Sequence, residues 1–202
     1  MNDKHLFAFG FGATASVLAS RLVGEGWSIS GTCRTSQKAA DLRDIGVTAH
    51  LFSDEVALPA QTLDGATHIL ISIPPSAEGN PVLSALRDTL LARRNSIEWI
   101  GYLSTTGVYG DRAGGTVDET MAMAPTSERG RRRQLAEEAW FDLGREMDVP
   151  VQTFRLAGIY GPGRNQIASL RAGKARRIVK PGHVFSRIHV EDLASVLEAS
   201  LA

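Results

Sequence analysis

A short apolar run at residues 6–9 leads directly into Gly10-Phe11-Gly12-Ala13-Thr14-Ala15, and from Ala13 onward the residues take helical spacing. Strand, tight turn and helix within so few residues leave little choice of fold. The first glycine permits the turn, and the second lets the backbone approach a pyrophosphate. Ala15 permits close helix packing, while first-turn amides and the helix dipole face the anion. Small residues in such a turn could serve packing alone, but the strand before and the helix after favour the anion site.

The same alternation continues along the chain. Short apolar runs at 28–32, 47–52, 68–73, 99–104 and 151–156 alternate with helix-patterned segments at 13–25, 37–45, 82–93 and 127–147, the third following Pro81, a favoured first-turn residue. Such a series predicts an α/β fold of Rossmann type, a doubly wound parallel sheet covered on both faces. A length of 202 residues suits one dinucleotide-binding domain over 1–202, without repeat or low-complexity linker. The 22 basic and 22 acidic residues cancel, so the molecule lacks the field of a general nucleic-acid binder, and none is expected as a partner. The single cysteine, Cys33, excludes an intrachain disulfide and a Cys-rich metal site. Met1-Asn2-Asp3-Lys4 lacks the apolar core of a signal peptide, and no run approaches the roughly 20 residues that span a bilayer. A cytoplasmic location without membrane attachment is expected.

Cofactor choice turns on the end of the second strand, where an Asp or Glu would accept hydrogen bonds from the NAD ribose. Gly31-Thr32-Cys33-Arg34-Thr35-Ser36-Gln37-Lys38 has no acid there. Arg34, with the hydroxyl of Thr35 and Lys38 nearby, suits a 2′-phosphate, so NADP is expected, with NAD as the alternative. Solvated surface charge is the competing reading of Arg34 and Lys38.

Three later segments complete a pattern with the glycine turn: Leu103-Ser104-Thr105-Thr106-Gly107-Val108-Tyr109-Gly110-Asp111, Arg155-Leu156-Ala157-Gly158-Ile159-Tyr160-Gly161-Pro162-Gly163 and Phe185-Ser186-Arg187-Ile188-His189-Val190-Glu191-Asp192-Leu193-Ala194. In their order and spacing the chain resembles an atypical member of the extended short-chain dehydrogenase/reductase superfamily, the NAD-dependent epimerase/dehydratase group. The resemblance implies that Ser104 and the loop at Pro74 line the cofactor groove, and that Thr105 hydrogen-bonds a substrate carbonyl or hydroxyl. Counting through Pro125-Thr126-Ser127-Glu128-Arg129-Gly130-Arg131-Arg132-Arg133 puts Arg129 at the family's catalytic Tyr position and Arg133 at its Lys position, on one helical face. A guanidinium with a pKa above about 12 cannot lend a proton near neutral pH, so the acid/base role is lost. Arg133 could still donate to the nicotinamide ribose, and Arg129 could bind an anion or pair with a carboxylate. Tyr109, Tyr160 and Glu128 are conceivable substitutes. Packing is the competing role for the tyrosines, and helix-start stabilisation or pairing with a neighbouring Arg for Glu128.

His5, His50, His68, His183 and His189 show no metal-ligand spacing, and no metal is expected. His189 is expected to hydrogen-bond the junction before a helix carrying Glu191 and Asp192. Two basic runs, Arg129, Arg131, Arg132 and Arg133, then Arg171, Lys174, Arg176, Arg177 and Lys180, could clamp an acidic or phosphorylated substrate. Alternatively, acids such as Glu137 and Glu138 absorb that charge at the surface. By resemblance, 161–188 begins a substrate lobe, and the stop at Ala202 implies that this C-terminal lobe is reduced or truncated, its pocket open or finished by another subunit in a homodimer. The leading expectation is an NADP-preferring oxidoreductase of epimerase/dehydratase type acting on a small or anionic carbonyl or alcohol compound. The alternatives are a non-catalytic, redox-responsive NADP-binding regulator or assembly partner and, more weakly, a sugar-nucleotide epimerase.

Overall fold

The computed structural model describes residues 4–53, 55–176, 179, 181–182 and 184–201. Met1 to Asp3, Arg177, Lys180, His183 and Ala202 therefore lie outside the described residues.

Six parallel strands form the central sheet: β1 (His5–Phe9), β2 (Ser28–Cys33), β3 (Thr48–Leu51), β4 (His68–Ile71), β5 (Trp99–Thr105) and β6 (Val151–Leu156). Their order is β3-β2-β1-β4-β5-β6, so the topology reverses between β1 and β4, with Leu6 facing His68 and Phe9 facing Ile71. A reversal of this kind opens a crevice at the carboxyl ends of the two strands. Helices α1 (Ala13–Gly24), α2 (Ser36–Arg43), α3 (Pro81–Ala92), α4 (Glu128–Met147), α5 (Gln166–Arg171) and α6 (Val190–Ser200) are the described α-helices.

Alternation along β1 divides the core. Leu6 and Ala8 face Leu18 and Leu22 of α1, Leu42 of α2 and Leu197 of α6, while Phe7 and Phe9 face Leu86 of α3 and Trp140 of α4. Period-two side chains thus bury both faces of a strand that has no solvent side, which is why the run reads as continuously apolar. Arg21 ties α1 to α6 through Glu191 at 2.7 Å and Glu198 at 3.2 Å.

The six expected strands and four helices all form, with ends shifted by a few residues. Beyond them, β7 (Gly158–Tyr160) pairs in parallel with β8 (Arg187–His189) in a separate two-stranded sheet, and the intervening chain carries the short helix α5. The 161–188 segment therefore leaves and returns beside β6. His189 caps α6, its Nδ1 accepting from the Glu191 amide at 3.3 Å, the junction role expected of it. No described helix is long and apolar enough to cross a membrane.

Candidate functional site

The crevice holds two cavities that meet at Gly12 and Ser72, one of about 630 Å³ over the ends of β1 and β2 and one of about 520 Å³ over the ends of β5 and β6.

The first half is built by glycines. Gly10 sits at φ +86°, and a Cβ there would stand 2.9 Å from Ile73 Cγ1. Its amide donates to Thr32 Oγ1 at 2.9 Å, fixing the turn against β2. Phe11 is buried, its ring lying where a Cβ on Gly31 would come within 2.6 Å, so a glycine on β2 makes room for the turn. Gly12 caps α1 without a side-chain acceptor, and a Cβ on it would meet no atom within 4 Å. First-turn amides left without partners, with open space before them, fit the pyrophosphate of a dinucleotide. Ala15 is fully buried against the sheet, whereas Ala13 and Thr14 line the second half.

Arg34, Thr35 and Lys38 line the outer end of the first half, with Pro74 and Pro75 opposite. Thr35 caps α2 by accepting from the Lys38 amide at 3.3 Å, so its hydroxyl is partly committed. Arg34 makes no ion pair among the described residues, and no acid among them lines this half. Phe52, Ser53, Ile73 and Pro81 also line it. They escaped the sequence reading because their contribution depends on where β3 and β4 end.

The second half is walled by the start of α4. Ser127 caps that helix, accepting from the Gly130 amide at 3.1 Å. A Cβ on Gly130 would lie 2.8 Å from the Gly107 carbonyl oxygen, so glycine allows α4 to settle on the turn after β5. That approach brings Arg129 and Arg133 to the cavity with Ser104 and Thr105. Thr105 Oγ1 accepts from the Gly107 amide at 3.2 Å, which leaves its own proton available to a ligand. Arg133 is 9% exposed; it donates to the Leu103 carbonyl and lies 5.8 Å from the centre of the Tyr102 ring. The buried guanidinium is thus partly held by protein. Arg129 is exposed in the cavity, with no ion pair among the described residues.

Tyr109, Tyr160 and Glu128, the other acid/base candidates, lie elsewhere. Tyr109 is buried, its hydroxyl accepting from Arg155 Nη1 at 2.9 Å, and lines a different cavity with Asp118 and Glu119. Tyr160, on β7, stacks edge-on against His189 at 5.0 Å and lines neither half. Glu128 is exposed and bonded to Arg132 at 2.9 Å and Arg131 at 3.3 Å, which hold its carboxyl below the usual range. Burial raises the Tyr102 phenol, the aromatic beside Arg133, above its ordinary value. The titratable side chains lining the second half, among the described residues, are arginines: Arg129, Arg133 and Arg164.

The structure corrects one expectation. Glu137 is not a surface partner of the basic run but fully buried, accepting from Arg155 Nε and Nη2, both at 3.0 Å, and from the Ser104 hydroxyl. Burial pulls the Arg155 pKa down, yet the bonds to Glu137 and Tyr109 prevail and raise it. A chain Ser104–Glu137–Arg155–Tyr109 therefore lies beneath the second half. Nor do the described members of the two basic runs converge as a clamp: Arg131 and Arg132 turn to Glu128, and Arg171, Lys174 and Arg176 are exposed outside both cavities, while Arg177 and Lys180 lie outside the described residues. The cation that does join Arg129 is Arg164, from the loop after β7, which the sequence reading passed over because it belongs to no run. No described group of three or more His, Cys, Asp or Glu could hold a metal ion.

This architecture is shared by solved structures. A functionally unknown conserved protein from Silicibacter pomeroyi DSS is 48% identical, with a TM-score of 0.87 over 98% of this chain and 68% of its own. The structure of a putative NAD-dependent epimerase/dehydratase from Methylobacillus flagellatus is 25% identical, with a TM-score of 0.70 over 98% of this chain and 70% of its own. UDP-glucuronic acid 4-epimerase from Bacillus cereus, solved with UDP-glucuronic acid and NAD, is 14% identical with a TM-score of 0.77 over 98% of this chain and 73% of its own, a likeness of fold. No curated protein matches. The model of the NAD dependent epimerase/dehydratase family matches residues 10–202, from the glycine turn through α6. With its glycine turn, reversed strand order and α4 standing over β5, the chain belongs to the NAD-dependent epimerase/dehydratase family, within the extended short-chain dehydrogenase/reductase group.

Proposed function

We propose that the chain binds a nicotinamide dinucleotide along the crevice, NADP in preference to NAD, and exchanges hydride with a small carbonyl or alcohol compound in the second half. The observation that carries this reading is the junction of the two cavities at Gly12 and Ser72, with Gly12 as the N-cap of α1 lining both. Gly10, Gly12 and the first turn of α1 would hold the pyrophosphate, and Arg34 and Lys38 the 2′-phosphate. When bound, the nicotinamide supplies the hydride equivalent.

The protein's own contribution is orientation and charge. Thr105 donates its hydroxyl proton toward an oxygen that becomes negative as a carbonyl is reduced, the kind of stabilisation worth about 3–4 kcal/mol per well-placed donor. The arginines on the wall give up no proton to form the alcohol, because arginine stays charged near neutrality. Water entering the open cleft is the remaining proton source, so turnover should be slower than in relatives that carry Tyr and Lys.

The arginine-only titratable lining also supports a second reading, a non-catalytic NADP-binding regulator or assembly partner whose contacts change with redox state. A sugar-nucleotide epimerase is less well supported, since it needs both hydride and proton traffic. Titration with NADPH and NADH, by nicotinamide fluorescence and calorimetry, tests the cofactor: NADPH should bind at least tenfold tighter, and equal affinities refute the 2′-phosphate assignment. Loss of deuterium from 4-deuterated NADPH in the presence of carbonyl compounds then separates the readings. Transfer supports the enzyme; none across a broad panel favours the regulator.

A further inference from the structure

We infer that the second half of the crevice contains a subsite for a phosphomonoester, gripped between Arg129 at the start of α4 and Arg164 in the loop after β7, so that the substrate of the proposed reaction is a phosphorylated small carbonyl or alcohol. This rests on the proposed placement of the cofactor for what lies beside it, but the cation pair is a feature of the chain itself.

Arg129 and Arg164 come from elements far apart in sequence and line one cavity of about 520 Å³. Both are exposed, and neither side chain has an ion pair or hydrogen bond among the described residues. Arg131 and Arg132, which do not line the cavity, are paired with Glu128, and Arg133, which does, is turned to the Leu103 carbonyl. No described carboxylate lines the cavity. Two unpaired guanidiniums facing one space repel each other, a cost relieved when an anion enters. A single carboxylate neutralises one of them. A phosphomonoester carries about −1.5 to −2 at neutral pH and three acceptor oxygens, enough for both forks, with hydroxyls at Thr106 and Ser127 also lining the cavity.

The test uses full-length protein saturated with NADP+, so that cofactor phosphates fill the glycine turn and the Arg34 end. Inorganic phosphate, dihydroxyacetone phosphate, dihydroxyacetone and malonate are titrated by calorimetry into wild type, Arg129→Gln and Arg164→Gln. Both positions are exposed, so the variants should fold; circular dichroism checks this. The expected result is that phosphate and dihydroxyacetone phosphate bind at least tenfold tighter to wild type than to either variant, that dihydroxyacetone does not bind, and that NADP+ affinity stays within twofold. Phosphate binding that is absent, or equal in all three proteins, overturns the subsite. So does tighter binding of malonate than of phosphate, or a fall in NADP+ affinity matching the fall for phosphate, which would assign the arginines to the cofactor. If NADP+ fails to bind while phosphate still discriminates among the proteins, the cofactor reading fails and the subsite stands.

Discussion

The two halves of the crevice are made of different material. The first is backbone: a glycine at φ +86°, a glycine whose missing Cβ leaves open space, and helix amides without a cap. The second is side chain, with Arg129, Arg133 and Thr105 on its wall and a buried carboxylate beneath. Backbone recognition survives wherever small residues and the turn survive. Recognition by side chains depends on which residues stand on the wall, and here the titratable ones among the described residues are arginines. Binding and catalysis can therefore part company within one cleft.

The largest expected effect probes what holds the second half. Glu137→Ala would leave Arg155, 18% exposed at its side chain, without its carboxylate and Ser104 without its acceptor. Removing one partner of a buried ion pair costs about 3–5 kcal/mol, and urea unfolding should show a loss of that size. A loss below about 1 kcal/mol would mean that the chain beneath the floor is not what supports it. Next comes Gly12→Asp in the first half. Its Cβ meets nothing within 4 Å and Asp is a favoured helix cap, so stability should hold or rise while NADPH affinity falls at least 100-fold, about 2.7 kcal/mol. Retained affinity would remove the pyrophosphate from the α1 amides.

The difference between the halves also explains what could be read in the sequence. Leu6 to Phe9 followed by Gly10 and Gly12 is local information, and period-two burial turns apolar runs into parallel strands without knowledge of their neighbours, so the sheet and the glycine turn were legible. Arg129 and Arg133 were placed by counting to the positions that the family resemblance implies, and their spacing of four puts both on one helical face. Glu137 was misread, since its burial depends on Arg155 arriving from β6, 18 residues on. Arg164 was missed for a similar reason: nothing near it in sequence tells that its loop turns toward α4. The β7–β8 pair joins segments nearly 30 residues apart through three-residue strands too short to carry a period.

A smaller effect sharpens the chemistry of the first half. Arg34→Ala should weaken NADPH about tenfold, near 1.4 kcal/mol, and leave NADH within twofold, as calorimetry would show. An equal loss for both would reduce Arg34 to a surface charge.

The smallest expected effect asks whether acid attacks the halves unequally. His5, His50 and His68 lie on β1, β3 and β4, the side of the sheet beneath the first half, and burial is the main cause that lowers each below the ordinary value of 6.5. For His50 the charges of Arg43 and His5 act in the same direction, and for His68 the pull of Glu98 in the opposite direction is the lesser influence. A lowered histidine is held neutral in the folded chain, so above pH 6.5 neither state binds the proton and stability is fully present. As pH falls below 6.5 the unfolded chain takes protons that the folded chain refuses, and stability drops until the folded pKa is reached, by at most about 1.4 kcal/mol per pH unit for each group. The expected sign is a melting temperature level from pH 7 to 8 and falling as the pH drops below 6.5. His68→Gln, which keeps a polar group beside Thr67 Oγ1 while removing the titration, should flatten part of that slope. An undiminished slope in that variant would move the acid sensitivity away from β4.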